Sequence, residues 1–353
     1  MAFAAAHRLG GGDGRRCLVA RTPESAMTQS MVETFTLGAF PTPLTRLHRI
    51  ERAMNLGPLY AKRDDLSGFG LAGNKTRPLQ YLVAGALRSG SDVFVTGGRA
   101  DSNFCAAAAA AARPAGLACV LVIATASGTP EFSANLRLAR SSGAVIVWVQ
   151  AGGSGIDDAI RAHADQLAAS GRTPYAVPRG GSTPLGAMGF ADAAGEITDQ
   201  LTAAGIADAT VVCALGSGGS CAGLLVGRAE LAASWRLIGV SVSRPIAELT
   251  NHLAELATGC ARLRSGAAPD PSGLTLVDAT DLPHGVMSAA QRELALSAYR
   301  HEGLLIEASY TARALEVAVR HATENRDRAT VFWHTGGTLA AVSGLFDVEE
   351  RDG

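Results

Sequence analysis

Short apolar runs, rich in β-branched residues, recur along the chain from residue 58 onward. Runs that are almost continuously apolar are typical of strands covered on both faces of a parallel sheet. We therefore predict strands over 93–96, 119–123, 145–149, 210–213, 237–242 and 330–333.

Stretches with helical periodicity separate these runs. The apolar positions 79, 82, 83, 86 and 87 follow the spacing of one helix face. The alanine run 106–112 predicts another helix, which Pro114 and Gly116 end. Because strands and helices alternate over this length, the pattern predicts an α/β fold with parallel sheets and crossover helices. Further helices are predicted over 131–141, 156–169, 188–203, 220–233, 288–301 and 310–323.

The strands divide into two groups. Those near 93, 120 and 146 are close in sequence and are predicted to form one small sheet. Residues 171–189 contain three prolines and five glycines, which favours a crossover to a second, larger sheet. Residues 1–30 carry four arginines and no clean apolar period. We interpret them as a disordered extension, with a transit peptide or a later start site as the alternatives.

Composition narrows the class of protein. The chain has 353 residues, of which 47% are hydrophobic and 18% charged, so it is not a disordered chain. Its net charge of −1 indicates neither nucleic acid nor an anionic membrane as a partner. The cysteines form no CxxC and the histidines no metal-ligand spacing, so we predict no metal site. Cysteines in apolar segments are typical of reduced, intracellular proteins.

Ligands of open parallel sheets bind beyond the carboxyl ends of the strands, so residues that directly follow strands are the candidates for chemistry. A glycine-rich turn follows the strand 210–213 and precedes a helix. Its backbone N–H groups and the helix N-terminus suit a phosphate, although the turn lacks the lysine of a P-loop. Arg244 leaves an NADP site open, but the acid of a dinucleotide fingerprint is missing. The turn consists of Gly216, Ser217, Gly218, Gly219 and Ser220.

Three other polar turns are expected at the same edge of the sheets, beyond the carboxyl ends of the strands. Lys75 stands where a loop enters a helix, and a neutral amine there can form a Schiff base with a carbonyl cofactor. A solvated surface charge is the alternative. Ser102 and Asn103 either cap the alanine-rich helix or present polar groups to a carboxylate. The fourth turn, 334–338, follows the last strand.

The ordered series of these segments resembles the pyridoxal-phosphate enzymes of fold type II, the tryptophan-synthase-β type. Within them the chain is most similar to the branch of D-cysteine desulfhydrase and 1-aminocyclopropane-1-carboxylate deaminase. The resemblance covers residues 35–345 in family order. The matching segments are 62–66, 73–77, 97–103, 180–182, 216–220, 242–244, 302–303, 310–311 and 334–337.

The resemblance implies a role for each matching residue. Lys75 resembles the Schiff-base lysine, and Gly216 to Ser220 resemble the loop that holds the cofactor phosphate. Asn103 resembles the residue bonded to the cofactor's 3-hydroxyl. Ser102 resembles the serine that meets the substrate carboxylate and can take part in proton transfer. Tyr310 resembles an active-site tyrosine, and Thr335 the hydroxyl residue near the pyridine nitrogen.

The chain departs from the family at several of these positions. Asp101 and Phe104 replace a glutamine and a histidine on either side of the predicted substrate-binding pair Ser102 and Asn103. His284 takes the place of a second tyrosine, where it either serves as general acid or fills space. Thr311 stands where the deaminases have a glutamate. A neutral hydroxyl stabilises the protonated pyridine ring less than a carboxylate does, which argues against opening of a cyclopropane ring.

The resemblance implies a cytoplasmic homodimer with pyridoxal 5′-phosphate in the cleft between two open, twisted parallel-sheet domains. We expect a small domain over 78–184 and a large one that joins 31–77 to 185–353. The predicted reaction is β-elimination from a small amino acid to an α-keto acid and ammonia. Lys75, Ser102, Tyr310 and His284 are its predicted catalytic residues, and Asp101, Phe104 and Tyr310 line the predicted substrate site.

Three other activities stay open at this stage. The same cofactor chemistry serves β-replacement or cyclisation in a biosynthetic pathway, and it also serves 1-aminocyclopropane-1-carboxylate deamination. The remaining alternative is a protein that binds pyridoxal phosphate without catalysis. The retained Lys75, Ser102 and Tyr310 argue against that last alternative.

Overall fold

The computed structural model describes residues 33–125, 132–152, 155–264, 266, 269 and 271–346. The predicted extension 1–30 lies outside the described residues. The strands are β1 (Leu44–Arg46), β2 (Leu59–Arg63), β3 (Val93–Arg99), β4 (Ala118–Ala124), β5 (Val145–Val149), β6 (Pro174–Ala176), β7 (Ala209–Leu215), β8 (Arg236–Ser241), β9 (Leu274–Asp278) and β10 (Ala329–His334). The helices are α1 (His48–Met54), α2 (Thr76–Arg88), α3 (Asn103–Ala112), α4 (Ala134–Ser141), α5 (Gly155–Ala169), α6 (Pro184–Ala203), α7 (Gly219–Glu230), α8 (Ile246–Arg264), α9 (Ala289–Glu302), α10 (Thr311–Glu324) and α11 (Thr338–Phe346).

The strands form two sheets, as predicted. The larger has the order β1-β2-β10-β7-β8-β9, and the smaller has the order β5-β4-β3-β6. All neighbouring strands are parallel except β1, which pairs antiparallel with β2 at one edge. The α/β class is therefore confirmed, with one antiparallel edge strand that the sequence did not predict.

Helices cover both faces of each sheet, because alternate residues of a strand point to opposite faces. In β7, Val211 and Cys213 pack with helices α6, α7 and α8, whereas Val212 and Ala214 pack with α9 and α10. In the small sheet, Leu121 packs with α2 to α4 and its neighbour Val122 with α5. Burial on both faces explains why these strands have no polar alternation.

Several predicted boundaries were wrong. The predicted helix 131–141 begins at Ala134, because the Ser133 side chain accepts a hydrogen bond from Leu136 N and caps it. The predicted crossover 171–189 contains the strand β6, and Thr183 caps a helix that begins at Pro184 instead of residue 188. Pro78 lies in the first turn of α2, as expected for a residue that lacks an N–H.

The strands of the small sheet lie within 93–176, inside the predicted small domain 78–184. The strands of the large sheet lie within 44–63 and 209–334, inside the predicted discontinuous domain. Because the described residues from 33 onward belong to one compact unit, the domain division itself stays a prediction. Among the described residues, no helix combines the length and apolarity that crossing a membrane requires.

Candidate active site

The carboxyl ends of strands from both sheets open onto one cavity of about 560 Å³. Turns that follow β3, β7, β8 and β10 contribute to its wall, as expected for a ligand site of parallel sheets. Every site residue predicted from the sequence lines this cavity. They are Lys75, Asp101, Ser102, Asn103, Phe104, Gly216, Ser217, Gly218, Gly219, Ser220, His284, Tyr310 and Thr335.

The glycine-rich turn forms a cradle at the N-terminus of α7. Gly218 has φ of 100°, a conformation that side chains disfavour, and it directly precedes the helix. Ser182, from the turn before α6, donates to Ser217 Oγ at 2.5 Å and accepts from Gly219 N at 3.3 Å. The loop is thus fixed from outside, and the N-terminus of a twelve-residue helix adds positive potential. Such a cradle is suited to a phosphate group.

Lys75 ends a short 3-10 helix directly before α2 and faces the cavity. Among the described residues, no carboxylate or hydrogen-bond partner contacts its Nζ. Burial lowers the pKa of this amine, with only a weak opposing influence from Cys213. More of the amine is therefore neutral, which is the form that attacks a carbonyl group.

Backbone contacts hold the Lys75 turn against the turn after β10. Asn74 N donates to Thr335 O at 3.0 Å. Gly73 has φ of 56°, and a Cβ on it would lie 2.4 Å from Thr335 O, so only glycine fits this approach.

A buried ionic network anchors the beginning of α2. Arg77, two residues after Lys75, donates to Asp64 Oδ1 at 2.8 Å and to Glu196 Oε1 at 2.9 Å. Lys62 Nζ lies 2.9 Å from Glu196 Oε2, so the two cations share this carboxylate. Replacing one partner of such a buried pair would leave an unpaired charge, so these pairs are costly to break. The network therefore holds the backbone at the start of α2, directly after Lys75.

The side chains of Ser102 and Asn103 make different contacts at the start of α3. Ser102 is the N-cap of α3 and accepts from Cys105 N at 3.2 Å, which confirms capping. Asn103 is not a cap, because its Oδ1 accepts from Asn135 Nδ2 at 2.9 Å. Asn135 also donates to Asp101 O at 2.8 Å. With its oxygen engaged, Asn103 presents its NH₂ group as a donor to the cavity.

Phe104 contributes to the cavity wall mainly through packing. Its ring is almost fully buried, and a Cβ on Gly181 would lie 2.5 Å from Phe104 Cε2. The ring therefore occupies the space that this glycine leaves open.

Glu307 holds Tyr310 in place, a role that the sequence analysis missed. The Glu307 carboxylate accepts from Ser309 N at 2.7 Å, Tyr310 N at 2.8 Å and Thr311 N at 2.7 Å. These N–H groups at the start of α10 have no partner within the helix. Burial raises the pKa of Glu307, although the three N–H groups act in the opposite direction. An acid just before the predicted helix 310–323 was the available signal.

Tyr310 covers the entrance of the phosphate cradle. A Cβ on Gly216 would lie 3.0 Å from Tyr310 Cε1, so the ring lies directly over this glycine. Burial raises the pKa of Tyr310 to about 12, so its hydroxyl stays protonated at neutral pH. The neighbouring Thr311 is buried, and its Oγ1 contacts Glu307. Thr335, by contrast, lines the cavity.

His284 and Asp101 meet across the cavity. His284 Nε2 lies 3.2 Å from Asp101 Oδ2 and 3.3 Å from Ser309 Oγ. Burial alone would raise the pKa of Asp101, but the hydrogen bond and charge of His284, with Arg99, lower it to about 2. The sequence placed both residues in the site but gave no sign that they contact each other.

Comparisons with known proteins show the family to which the chain belongs. The family model described as "Pyridoxal-phosphate dependent enzyme" matches residues 35–336. The Pyrococcus abyssi protein named "Putative 1-aminocyclopropane-1-carboxylate deaminase" is 32% identical over 318 residues, covering 90% of this chain and 94% of that protein. The D-cysteine desulfhydrase of Serratia proteamaculans is 33% identical over 310 residues, covering 85% and 92%. A solved structure described as "Crystal Structure Analysis of the ACC deaminase homologue" has a TM-score of 0.82 and 30% identity, covering 91% and 95%.

The cavity residues fit pyridoxal phosphate. The glycine-rich turn suits a phosphate, because Gly216 to Ser220 line the cavity at the N-terminus of α7. The desolvated amine of Lys75 suits the aldehyde, and the free NH₂ group of Asn103 suits an oxygen on the ring. These donors match the phosphate, the aldehyde and the ring hydroxyl of one molecule.

Proposed function

Because the chain belongs to the pyridoxal-phosphate dependent enzymes, we propose that it is a lyase acting on a small amino acid. The reaction is β-elimination, in the manner of D-cysteine desulfhydrase, and it yields an α-keto acid and ammonia. The observation that carries this proposal is the desolvated amine of Lys75, which shares one cavity with the phosphate cradle and with the proton donors Tyr310 and His284.

Each polar group of the cavity has one task in holding the cofactor. Gly216 to Ser220 would bind the phosphate, Lys75 would bind the aldehyde group, and Asn103 would donate to the 3-hydroxyl. Thr335 would supply a hydroxyl for the pyridine nitrogen. When bound, the cofactor supplies an electron sink for the electron pair that remains when the Cα–H bond breaks.

The reaction needs one proton acceptor and one proton donor from the chain. Lys75 Nζ would take the proton from the substrate Cα, and Ser102 Oγ would bind the substrate carboxylate. The β-substituent would leave with the electron pair of its bond to Cβ, and Tyr310 or His284 would donate a proton to it. Water would then convert the remaining enamine to the keto acid and ammonia.

Hydroxyl groups near the predicted pyridine nitrogen support elimination over deamination. Thr311 Oγ1 is engaged with Glu307, and both oxygens of that carboxylate accept N–H groups of α10. Thr335 then presents a hydroxyl instead of a free carboxylate. A shallower electron sink is adequate when a leaving group departs with its electron pair, but ring opening of a cyclopropane needs a deeper one.

A substrate screen tests the proposed reaction. The purified enzyme is incubated with both enantiomers of cysteine, with β-substituted alanines and with 1-aminocyclopropane-1-carboxylate. Keto acid, ammonia and the released substituent are measured together. We expect equal amounts of the three products from at least one β-substituted amino acid. A new amino acid without keto acid would identify β-replacement or cyclisation, and 2-oxobutanoate from the cyclopropane would identify the deaminase. No product from any substrate would favour a cofactor-binding protein without catalysis.

We also propose that the chain is a cytoplasmic homodimer with two domains separated by the cofactor cleft. The described cysteines are buried and free, which supports a reducing compartment. Light scattering of the purified protein tests the dimer, and limited proteolysis within 171–189 tests the domain division.

A further inference from the structure

The Asp101–His284 contact joins the two sheets across the active-site cavity. Asp101 directly precedes α3, which packs on the small sheet, and His284 lies between β9 and α9 of the large sheet. The residues are 183 positions apart in the chain. We propose that Asp101 is a positioning residue, which holds the His284 proton on Nε2 and turns Nδ1 toward the substrate. The catalytic part of this proposal rests on the proposed elimination, whereas the positioning part does not.

The hydrogen-bond chemistry determines the tautomer. An ionised carboxylate only accepts hydrogen bonds, so the Nε2 atom that lies 3.2 Å from Asp101 Oδ2 carries a proton. Ser309 Oγ lies 3.3 Å from the same nitrogen and itself accepts from Gly285 N at 3.0 Å. Both oxygens therefore face Nε2. Within the described chain no residue binds Nδ1, so this nitrogen stays open to a ligand.

Asp101 is the carboxylate at hydrogen-bond distance from the imidazole. On the same side, Arg99 pairs with Asp101 Oδ1 at 3.2 Å and is largely exposed. The Tyr310 ring packs edge-on against His284 at 5.8 Å between centroids, and its hydroxyl is neutral. The Glu307 carboxylate already accepts the N–H groups of Ser309 and Tyr310 at the start of α10.

Arg313 fixes the backbone before His284. It donates to Leu282 O and Pro283 O, each at 2.8 Å. The backbone of this loop is therefore held by Arg313, while the imidazole itself contacts Asp101 and Ser309.

The Asp101 carboxyl is ionised over the whole assay range. The hydrogen bond and charge of His284, with Arg99, lower the pKa of Asp101 to about 2. An ionised carboxylate only accepts, so Asp101 keeps a proton on Nε2 and leaves Nδ1 for the substrate.

Two substitutions separate charge from orientation. Asp101→Asn removes the charge but keeps an oxygen that can accept from Nε2, whereas Asp101→Ala removes both. Asp92→Asn is the matched control, because Asp92 pairs with Arg172 at 2.6 Å on the surface of the same sheet. The holoenzymes are labelled with ¹⁵N-histidine, and His284→Gln assigns the His284 resonances.

Nitrogen chemical shifts report which ring nitrogen of a neutral histidine carries the proton. In the wild type, neutral His284 should carry its proton on Nε2. Asp101→Asn should keep this tautomer, because the amide oxygen can still accept from Nε2. Asp101→Ala should mix the tautomers, whereas Asp92→Asn should leave the tautomer unchanged. An unchanged tautomer in Asp101→Ala would overturn the positioning role.

Kinetics then test the catalytic part separately. If His284 assists the leaving group through Nδ1, kcat should fall further in Asp101→Ala than in Asp101→Asn, because the asparagine keeps the orientation of the ring. An equal kcat in the two variants, with mixed tautomers in Asp101→Ala, would leave the positioning role and remove the catalytic one. Absence of turnover in the wild type would contradict the proposed elimination, while the nitrogen shifts would still decide whether Asp101 positions His284.

Discussion

Replacing Glu307 tests how the start of α10 is held in the active site. Glu307→Ala removes the acceptor of three buried N–H groups, from Ser309, Tyr310 and Thr311, at 2.7, 2.8 and 2.7 Å. An unpaired buried donor costs about 1–3 kcal/mol, so we expect a loss of roughly 3–6 kcal/mol, with some relief from entering water. A loss of this size is exceptional for one side chain and indicates a broken hydrogen-bond network.

Glu307→Gln should have a smaller effect, because the amide keeps one oxygen. Only the Ser309 N–H, bonded to Oε2, then meets an NH₂ group instead of an acceptor, which should cost about 1–3 kcal/mol. Urea unfolding of both variants measures these free energies by linear extrapolation. Glu324→Gln, an exposed acid at the end of the same helix, should stay within about 0.5 kcal/mol of the wild type. A Glu307→Ala protein as stable as this control would refute the reasoning.

Three more substitutions test the cofactor site. Gly218→Asp should stay folded by circular dichroism but lose bound cofactor. A side chain at φ of 100°, with its Cβ 3.2 Å from Leu256, would distort the turn and add a negative charge to it. Gly152→Asp, with open space around it, should retain the cofactor. Borohydride should fix the cofactor to Lys75 in the wild type, and Lys75→Ala should lose more than the ~10²–10⁴ in kcat typical of a missing general base. Tyr310→Phe should lower kcat without moving the pH limbs, because its pKa of about 12 lies above the assay range; a limb that disappears would assign that limb to Tyr310.

Buried strands could be predicted from the sequence because both of their faces meet helices. The edge strand β5 was predicted, but the edge strands β1 and β6 were missed, since each spans only three residues and has no apolar run. The edge strand β9 and the inner strand β2 were missed as well, because Thr275 interrupts the apolar positions of β9 and β2 ends in Lys62 and Arg63. Helix α8 is a different case, because its buried Leu249, Leu253 and Leu256 follow the spacing of one helix face. This periodicity is visible in the sequence, so α8 was predictable although it was missed.

The location of the site could be predicted, but its pairwise contacts could not. Parallel strands end at one edge of a sheet, so the turns after them must converge whatever the details of packing. The Asp101–His284 contact depends instead on how two sheets pack together, and sequence spacing does not encode that. Asn135 was missed for a similar reason, since only its contact with Asn103 distinguishes it from any other polar helix residue.

The hydrogen bonds of the cavity separate structural groups from reactive ones. Both oxygens of Glu307 accept N–H groups, and Arg179 is paired with Asp157 at 2.9 Å, so the protein itself already holds both side chains. The Lys75 amine, the Asn103 NH₂ group and His284 Nδ1 have no partner among the described residues. Unsatisfied polar groups beside a cavity are costly unless a ligand or water satisfies them. These groups therefore belong to the part of the site that a ligand must complete, and they include one nucleophile, one donor and one proton carrier.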